Sequence, residues 1–424
     1  MNESTSRRSF LASSIGGATA FQIIRPELVR GQGNPMLKAG LIGCGGRGTQ
    51  AMENILNGCD NVEIVAMADV FEDRMETSIR TTQGLKPELS KRFKVDAEHR
   101  FVGFDAYKKL VASNVDIVML AANPGYRPLH FEAAVEAKKH VFCEKPMGTD
   151  ATGVRRFMAA AKKSQELKLT VKSGAQRRSQ VWYLDQYKRV KNGEIGDIVH
   201  MNANWVGTPV LNFTNTRLFP NKKRDPKWGD LEWQQRNWYS FLWICGDQIV
   251  EQHLHNMCNW FKGGHPVEVV ASGGAAWRPR EEEYGNIYDH LSADFVYADG
   301  THMSSYCRQY NGSAQNISER IVGTKGVMDS STLRGNGPGV NPYVQEHTDM
   351  MNSILGKGPY INEAQAVAES TLTCIMGREA AYSGQKVTWE MIMNSKQDLM
   401  PKNFDYKASF PPTPLPVPGV YKFV

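Results

Sequence analysis

Apolar and polar positions in the first third of the chain follow two alternating periods. Short, nearly continuous apolar runs, as in strands buried on both faces of a sheet, occupy residues 38–42, 62–69, 115–120 and 140–143. Between them, residues 50–56 and 128–139 carry apolar side chains at helical spacing. Strands that alternate with helices predict a doubly wound parallel sheet, whose ligands bind outside the carboxyl ends of the strands.

The pattern changes in the second half of the chain. After a predicted helix over 181–191, strands dominate, and two glycine-containing turns at 298–300 and 323–326 indicate hairpins. The predicted strands cover residues 198–205, 265–271, 291–297, 302–308, 317–322 and 327–329. Helices are predicted over 341–355 and 363–382, and the proline-rich tail from Pro401 predicts irregular structure along the surface. This part is expected to be an α+β domain with a large, mostly antiparallel sheet.

A glycine-rich turn follows the first predicted strand. Gly43, Gly45 and Gly48 form the pattern G-x-G-x-x-G, with Gly46 and Arg47 inside it. In a strand–turn–helix unit these glycines make a tight turn, let the backbone approach a pyrophosphate and let the helix pack on the strand. The helix N-terminus then presents unpaired N–H groups to the phosphates. An ordinary βαβ unit with a glycine-rich turn is the alternative.

Further polar residues fall at strand ends of the same sheet. Asp69 ends the second strand about 20 residues past the turn, where a carboxylate holds a ribose 2′-hydroxyl. Asn123, Glu144 and Lys145 follow later strands. A carboxylate at position 69 repels a 2′-phosphate, so NAD is predicted as the cofactor; the nearby Arg47 leaves NADP possible.

These motifs together resemble the Gfo/Idh/MocA oxidoreductase family, which includes glucose–fructose oxidoreductase and inositol dehydrogenase. The resemblance rests on the Gly43 turn, Asp69, Asn123-Pro124 and Glu144-Lys145-Pro146, and it covers most of the chain after residue 35. It implies an N-terminal Rossmann domain and a C-terminal α+β domain. It also implies that Lys145 lies near the nicotinamide and is catalytic, whereas local sequence alone would suggest a solvated lysine.

Length supports this division, since 424 residues are too many for one ordinary core. The predicted parts are residues 1–35 as signal peptide and linker, 36–175 as the NAD-binding Rossmann domain, and 176–424 as the substrate-binding domain. The side chain of Thr149 or Asp150 is expected to cap a helix near 154–163.

The second predicted domain contains Asp247, Glu251 and His255 at i, i+4 and i+8, on one face if the segment is a single helix. The family has an aspartate and a histidine four residues apart here. The resemblance therefore implies that His255 contacts the reacting hydroxyl and that Glu251 orients the His255 ring. It also implies that Asp247 lies near the substrate. Glu251 replaces the aspartate, and His253 replaces the usual glycine between them. A structural Glu–His pair or a metal site of Glu251, His253 and His255 are the alternatives, the metal being the least favoured.

Two further groups are candidates for the substrate region. Arg177 enters the second domain within Gln176-Arg177-Arg178, and the resemblance implies a place near the substrate, with a solvated basic turn as the alternative. Residues 222–260 are rich in tryptophan, tyrosine and phenylalanine, whose ring faces suit the C–H faces of sugars and also fill cores.

Charge and cysteine content exclude several classes of protein. The formal charge of +6 is modest and no basic block interleaves with aromatic residues, so a nucleic-acid partner is not expected. The seven cysteines are scattered without C-x-x-C spacing, which argues against a disulfide framework or a zinc site. No membrane span is predicted.

The N-terminus carries an export signature. Arg7-Arg8 precede a weakly apolar stretch and Ala18-Thr19-Ala20, a possible cleavage site. This pattern predicts twin-arginine export, with a periplasmic or extracytoplasmic destination; a disordered basic tail is the alternative. An exported dinucleotide enzyme is expected to hold its cofactor tightly.

The function that the resemblance implies is hydride transfer between a ring carbon of a sugar, glycoside or cyclitol and a bound nicotinamide. Two alternatives stay open: a redox-neutral NAD-dependent glycosidase that acts through a keto intermediate, and a non-catalytic sugar-binding protein of the same fold. The open face of the C-terminal sheet is the expected contact between subunits of a homo-oligomer, as the resemblance implies.

Overall fold

Six parallel strands form the first sheet of the computed structural model, which describes residues 35–208, 224–253, 255–278, 280–333, 335 and 337–423. The sheet has the order β3-β2-β1-β4-β5-β6, and every recorded pairing in it is parallel. Its strands are β1 (Leu37–Ile42), β2 (Val62–Asp69), β3 (Arg100–Val102), β4 (Ile117–Leu120), β5 (His140–Cys143) and β6 (Val171–Ser173). The order reverses direction at β1, which is the doubly wound topology predicted from the sequence.

Helices cover both faces of this sheet. Between its strands run α1 (Gly46–Gly58), α2 (Glu72–Gln83), α3 (Pro87–Ser90), α4 (Ala106–Ala112), α5 (Arg127–Glu136) and α6 (Ala151–Glu166). Asp150 caps α6 by accepting a hydrogen bond from the Gly153 N–H at 2.6 Å, as expected. All four residues of β4 are buried, which explains its continuous apolar run.

The second sheet has seven strands in the order β12-β11-β7-β10-β9-β8-β13. They are β7 (Ile198–Gly207), β8 (Glu268–Gly274), β9 (His290–Val296), β10 (His302–Gln309), β11 (Asn316–Gly323), β12 (Val327–Asp329) and β13 (Val387–Thr388). All of its pairings are antiparallel except that of β10 with β7. The predicted combination of a Rossmann sheet with a mostly antiparallel α+β sheet is therefore confirmed.

The remaining helices are spread over residues 181–394. They are α7 (Val181–Lys191), α8 (Asp230–Arg236), α9 (Leu242–Cys245), α10 (Gln248–Gln252), α11 (His255–Lys262), α12 (Pro342–Ile354), α13 (Ala364–Ser383) and α14 (Trp389–Asn394). Although α12 comes late in the chain, it packs on α1, and its Met350 and Met351 join the core on one face of the first sheet.

Residues 36–424 form one compact unit that contains both sheets. Helix α13 is buried around almost its whole circumference, because it packs against α6 of the first half and against β8 and β9 of the second. The predicted domain boundary at residue 175 falls just after β6 and stays a prediction. All seven cysteines are buried free thiols.

Residues 401–423 of the tail contain no helix or strand and are mostly exposed, as predicted, but several of their aromatic side chains pack on the rest of the chain. Phe404, Tyr406 and Phe410 join an aromatic cluster with Tyr126 and Trp243. The predicted export signal lies outside the described residues. Among the helices that are described, none is long and apolar enough to cross a membrane.

Candidate active site at the strand ends of the first sheet

The glycine turn between β1 and α1 has the geometry that its sequence predicts. Gly43 has φ +98°, and a Cβ there would lie 2.2 Å from the Ala122 nitrogen. A Cβ at Gly48 would lie 1.9 Å from the Gly43 oxygen, so only glycine allows α1 to start this close to the strand. At Gly45 and Gly46 an added Cβ meets no described atom within 4 Å. The turn thus leaves a cradle that a side chain would fill, as a bound pyrophosphate requires.

Asp69 lies beside this turn at the end of β2. Its carboxylate accepts hydrogen bonds from the Cys44 N–H at 2.6 Å and the Phe71 N–H at 2.8 Å. Burial raises the pKa of Asp69, and these two N–H groups and Arg74 oppose that rise. Because each carboxylate oxygen has two lone pairs, Asp69 can still accept bonds from ribose hydroxyls.

Arg47 points to a different part of the site. Its guanidinium pairs with Glu144 at 2.5 Å and Glu346 at 3.4 Å, and it stacks on the Tyr343 ring with its centre 4.8 Å from the centroid. Burial opposes its charge, but the two carboxylates raise the pKa of Arg47. Its charge is therefore engaged by α12 and the end of β5, and it does not form a 2′-phosphate site beside Asp69.

Lys145 and Glu251 form an ion pair between the end of β5 and helix α10. The Lys145 ammonium donates hydrogen bonds to the backbone oxygen of Glu251 and to its Oε1, the latter at 3.3 Å. The two side chains are 27% and 13% exposed. Burial raises the pKa of Glu251, and Lys145 partly offsets this. In the described structure the second carboxylate oxygen of Glu251, Oε2, is buried without a hydrogen-bond partner.

The prediction of one continuous helix through Asp247, Glu251 and His255 is wrong. Helix α10 ends at Gln252, His253 has the left-handed conformation with φ 53°, and α11 begins at His255. The break changes the helical phase, so the three residues do not share a face.

His255 is consequently turned into the core. Its Nδ1 lies 2.9 Å from the Cys374 sulfur and its Nε2 lies 2.6 Å from the Ser305 hydroxyl. Burial lowers the pKa of His255 to about 3. Asp247 is also structural: its carboxylate caps α10 and accepts bonds from the Tyr288 N–H and the Tyr382 hydroxyl.

His253, in the break between the two helices, lines the site, as does His130 of α5. It lines the same cavity as Lys145 and Glu251, and its Nε2 lies 2.9 Å from the Thr371 hydroxyl. Sequence reasoning missed it because a helical phase was carried through the break. The available signal was its place at the family's usual glycine, since glycine is the residue that adopts the left-handed backbone most readily.

One cavity of about 600 Å³ unites most of the predicted site. The predicted residues that line it are Gly43, Gly45, Gly46, Arg47, Gly48, Asp69, Asn123, Glu144, Lys145, Arg177 and Glu251. Asp247 and His255 are not among its lining residues. The carboxyl ends of β1, β2, β4 and β5 therefore meet at one cleft, as expected for a doubly wound sheet.

Arg177 and the aromatic residues form the wall from the second half of the chain. Arg177 is half-buried and pairs with the buried Glu319, whose carboxylate also accepts the Tyr183 hydroxyl at 2.6 Å, so its guanidinium is held by the protein and is not that of a solvated basic turn. Trp205 and Trp238 also line the cavity. Other aromatic residues of the segment, such as Trp233, fill a separate cluster.

Contacts near Asp69 tie the two walls of the cavity together. The Arg236 guanidinium lies 4.0 Å from the centroid of the Phe71 ring and pairs with Asp73. The Tyr406 ring of the tail also stacks on Phe71, with centroids 6.0 Å apart and planes at 9°. Tyr406 also packs on Phe104 at 4.8 Å. We call Arg236, Tyr406, Phe71 and Phe104 the clasp.

A metal site receives no support here. In the part of the chain that the structure describes, no group of three or more His, Cys, Asp or Glu side chains could hold a metal ion.

The model of the oxidoreductase family with an NAD-binding Rossmann fold, GFO_IDH_MocA, matches residues 37–173. Among curated relatives, the myo-inositol 2-dehydrogenase of Thermotoga maritima is 29% identical over 255 residues, which is 60% of this chain and 62% of that protein. The inositol 2-dehydrogenase of Salmonella typhimurium is 27% identical over 176 residues, 40% of this chain and 47% of the relative. The matches thus span about half to three fifths of the relatives' length.

Solved structures share the fold over most of the chain. The scyllo-inositol dehydrogenase of Lactobacillus casei with bound NAD(H) and scyllo-inositol has a TM-score of 0.63 at 19% identity, covering 83% of this chain and 99% of that one. The aldose–aldose oxidoreductase of Caulobacter crescentus has a TM-score of 0.60 at 18% identity with the same coverage.

Proposed function

Because the chain belongs to the Gfo/Idh/MocA oxidoreductase family, we propose that it is an NAD-dependent oxidoreductase acting on a ring hydroxyl of a sugar, glycoside or cyclitol. The observation that carries this proposal is one cavity lined by the glycine turn, Asp69 and the Lys145–Glu251 pair. A dinucleotide cradle and a charged pair in a single cleft are what such a reaction needs.

The residues of the cradle fit the cofactor. The open space above Gly45 and Gly46 suits a pyrophosphate, and Asp69 suits the adenosine ribose. Asp69 favours NAD over NADP, and Arg47, which raised the possibility of NADP, is engaged by Glu144 and Glu346. When bound, NAD supplies the acceptor for a hydride from the substrate carbon.

Lys145 and Glu251 are proposed to bind the reacting part of the substrate. The ammonium of Lys145 has three hydrogens, of which two are engaged by Glu251, so the third is available to a substrate oxygen. The unpartnered Oε2 of Glu251 can accept a bond from a substrate hydroxyl, which would remove the cost of about 1–3 kcal/mol of leaving a buried polar atom unpaired.

Cyclic polyols are the substrate class that this wall favours. The ring faces of Trp205 and Trp238 suit the C–H faces of a pyranose or cyclitol. The names of the matched relatives, which are inositol dehydrogenases, point to the same class.

The experiment is reduction of the bound cofactor by a panel of myo-inositol, scyllo-inositol, glucose and aryl glycosides. At least one member is expected to reduce NAD at a rate that Lys145→Ala lowers by roughly 10²–10⁴-fold, as for a positioned acid–base group. Lys162→Ala, an exposed lysine of α6, is the matched control and should change little. A Lys145→Ala rate within a few-fold of the wild type would contradict the assignment.

Product analysis without an added acceptor separates the alternatives. Cleavage of a glycoside with no net change in the cofactor would select the redox-neutral glycosidase. Binding of the panel sugars without any reaction would select the non-catalytic sugar-binding protein.

We also propose that the open face of the second sheet joins subunits. Tyr306 and Val270 on that face are 47% and 51% exposed. Tyr306→Asp should lower the mass measured by light scattering to that of the monomer, and Val420→Asp in the exposed tail should leave it unchanged. A monomeric wild-type protein would contradict the proposal.

Export by the twin-arginine route is proposed from Arg7 and Arg8. Replacing both arginines with lysine should retain the protein in the cytoplasmic fraction; unchanged export of that variant would contradict the proposal. Retention of the cofactor, which export would demand, is supported by the clasp over the Asp69 side of the cavity.

A further inference from the structure

Lys145 is not the proton acceptor of the proposed reaction in the arrangement that the structure shows. Oxidation of an alcohol removes a proton from its oxygen, and the group that receives this proton must offer a lone pair. The Lys145 ammonium donates to two oxygens of Glu251 and is therefore a donor in this structure. Lone pairs remain on Oε2 of Glu251 and on the rings of His130 and His253, which line the same cavity.

The hydrogen bonds around Thr371 define the tautomer of His253. The Thr371 hydroxyl donates its one hydrogen to the Val367 carbonyl at 3.0 Å and accepts from the Met147 N–H at 3.0 Å. In this arrangement Nε2 of His253, 2.9 Å from the same oxygen, donates the bond between them. A neutral imidazole with its hydrogen on Nε2 keeps its lone pair on Nδ1.

The surroundings keep this ring neutral. Burial, and then the positive charge of Lys145, the neighbouring His255 and Arg178, lower the pKa of His253 well below its ordinary value, while the Val367 carbonyl opposes this. The Glu251 carboxylate lines the same cavity and pairs with Lys145 through Oε1. With its hydrogen on Nε2, the neutral His253 ring offers its lone pair at Nδ1.

We propose that Nδ1 of His253 accepts the proton of the reacting hydroxyl, and that Thr371 is the positioning residue that fixes its tautomer. This inference rests on the proposed function. It gives His253, which stands at the family's usual glycine position, the role that the resemblance implied for His255. Lys145 then acts as the donor that orients the substrate oxygen.

The step balances. The O–H bond breaks and its proton binds Nδ1, and the electron pair of that bond becomes the second C–O bond of the carbonyl. The carbon loses its hydrogen with two electrons to the oxidised nicotinamide. The imidazole gains one positive charge as the charge of the cofactor falls by one, so the total charge in the cleft does not change.

Kinetics of the holoenzyme test the role of His253. His253→Asn tolerates the left-handed backbone but cannot take the proton, and it should slow reduction of the bound NAD by roughly 10²–10⁴-fold. His253→Gly should lose as much and regain activity when imidazole is added. Thr371→Val should slow the reaction, whereas Thr371→Ser, which keeps the hydroxyl, should not. A wild-type rate in His253→Asn would overturn the proposal.

A readout independent of turnover is nitrogen NMR of the holoenzyme labelled in its ten histidines, with His253→Asn identifying the signal. The expected result is a neutral ring with hydrogen on Nε2, a mixture of tautomers in Thr371→Val, and a shift of the Nδ1 signal on adding myo-inositol. Hydrogen on Nδ1 would overturn the proposal. If no panel member reduces the cofactor, the proposed function fails. An Nδ1 signal that does not move in saturating myo-inositol would separately overturn the role of His253.

Discussion

Replacing Tyr406 with alanine should speed the release of the bound cofactor while leaving the rest of the protein folded. The Tyr406 ring contacts Phe71 and Phe104, which line the cavity, and its hydroxyl donates to Gln235 at 2.8 Å. Phe71 follows Asp69 closely and its N–H binds the Asp69 carboxylate. Opening the clasp at this ring therefore loosens the wall beside the adenosine ribose.

The magnitude follows from the contacts that are lost. Each aromatic pair contributes about 0.5–1.5 kcal/mol, so removing the ring weakens the closed clasp by about 1–3 kcal/mol. If release requires the clasp to open, the rate rises by the same factor as the open population, roughly 5- to 150-fold. Tyr406→Phe keeps both ring contacts and loses one hydrogen bond of about 0.5–1.5 kcal/mol, so its effect should be smaller.

The assay follows loss of nicotinamide from gel-filtered holoenzyme into a buffer with an enzymatic scavenger. Thermal unfolding of the apoprotein reports whether each variant is folded. Release from a folded Tyr406→Ala protein at the wild-type rate would refute the reasoning. An equal effect of Tyr406→Phe would refute the part assigned to the ring.

Two further predictions concern the cradle and the acid stability of the fold. Gly45→Ala adds a methyl group that meets no described atom within 4 Å, so it should leave the unfolding temperature unchanged yet abolish copurification of NAD. The control is Gly264→Ala, where the added methyl group is equally uncrowded and neither property should change. NAD that still copurifies with Gly45→Ala would contradict the proposed phosphate cradle. Burial lowers to about 3 the pKa values of three histidines, His130, His255 and His347. Because the unfolded chain binds these protons from about pH 6.5 downward and the folded chain does not, the free energy of unfolding should fall by about 2 kcal/mol per histidine between pH ~6.5 and ~5. In denaturant titrations, acidification should lower the free energy of unfolding of His347→Phe by about 2 kcal/mol less than that of the wild type. An equal loss in the two proteins would contradict a neutral, buried His347 ring.

Local sequence was sufficient for the sheet and the cradle. The strands β2 and β5 and the helix α7 begin and end where the apolar pattern predicts. The glycines of the turn are required because the backbone approaches so closely at positions 43 and 48 that only a residue without a Cβ fits. These features depend on contacts within a single βαβ unit, and such contacts leave a local signature.

The features that sequence reasoning missed depend on contacts between distant segments. The left-handed His253 is anchored by Thr371, 118 residues later, and nothing within residues 247–255 indicates that partner. Arg47 pairs with Glu346, which lies 299 residues later in the sequence. The tail shows no hydrophobic periodicity from which the stacking of Tyr406 on Phe71 could be predicted. Tertiary contacts of this kind override the helical spacing that pointed to His255.

The central claim is that this cleft holds NAD and presents Lys145 to a ring hydroxyl. The most direct measurement is the reduced-nicotinamide absorbance of the gel-filtered protein, with no free cofactor added, when cyclic polyols are supplied one at a time. The account predicts that one polyol class produces up to one equivalent of reduced cofactor per chain, and that Lys145→Ala with its NAD still bound does so far more slowly. Protein that releases no nicotinamide on denaturation and binds none added in solution would contradict it.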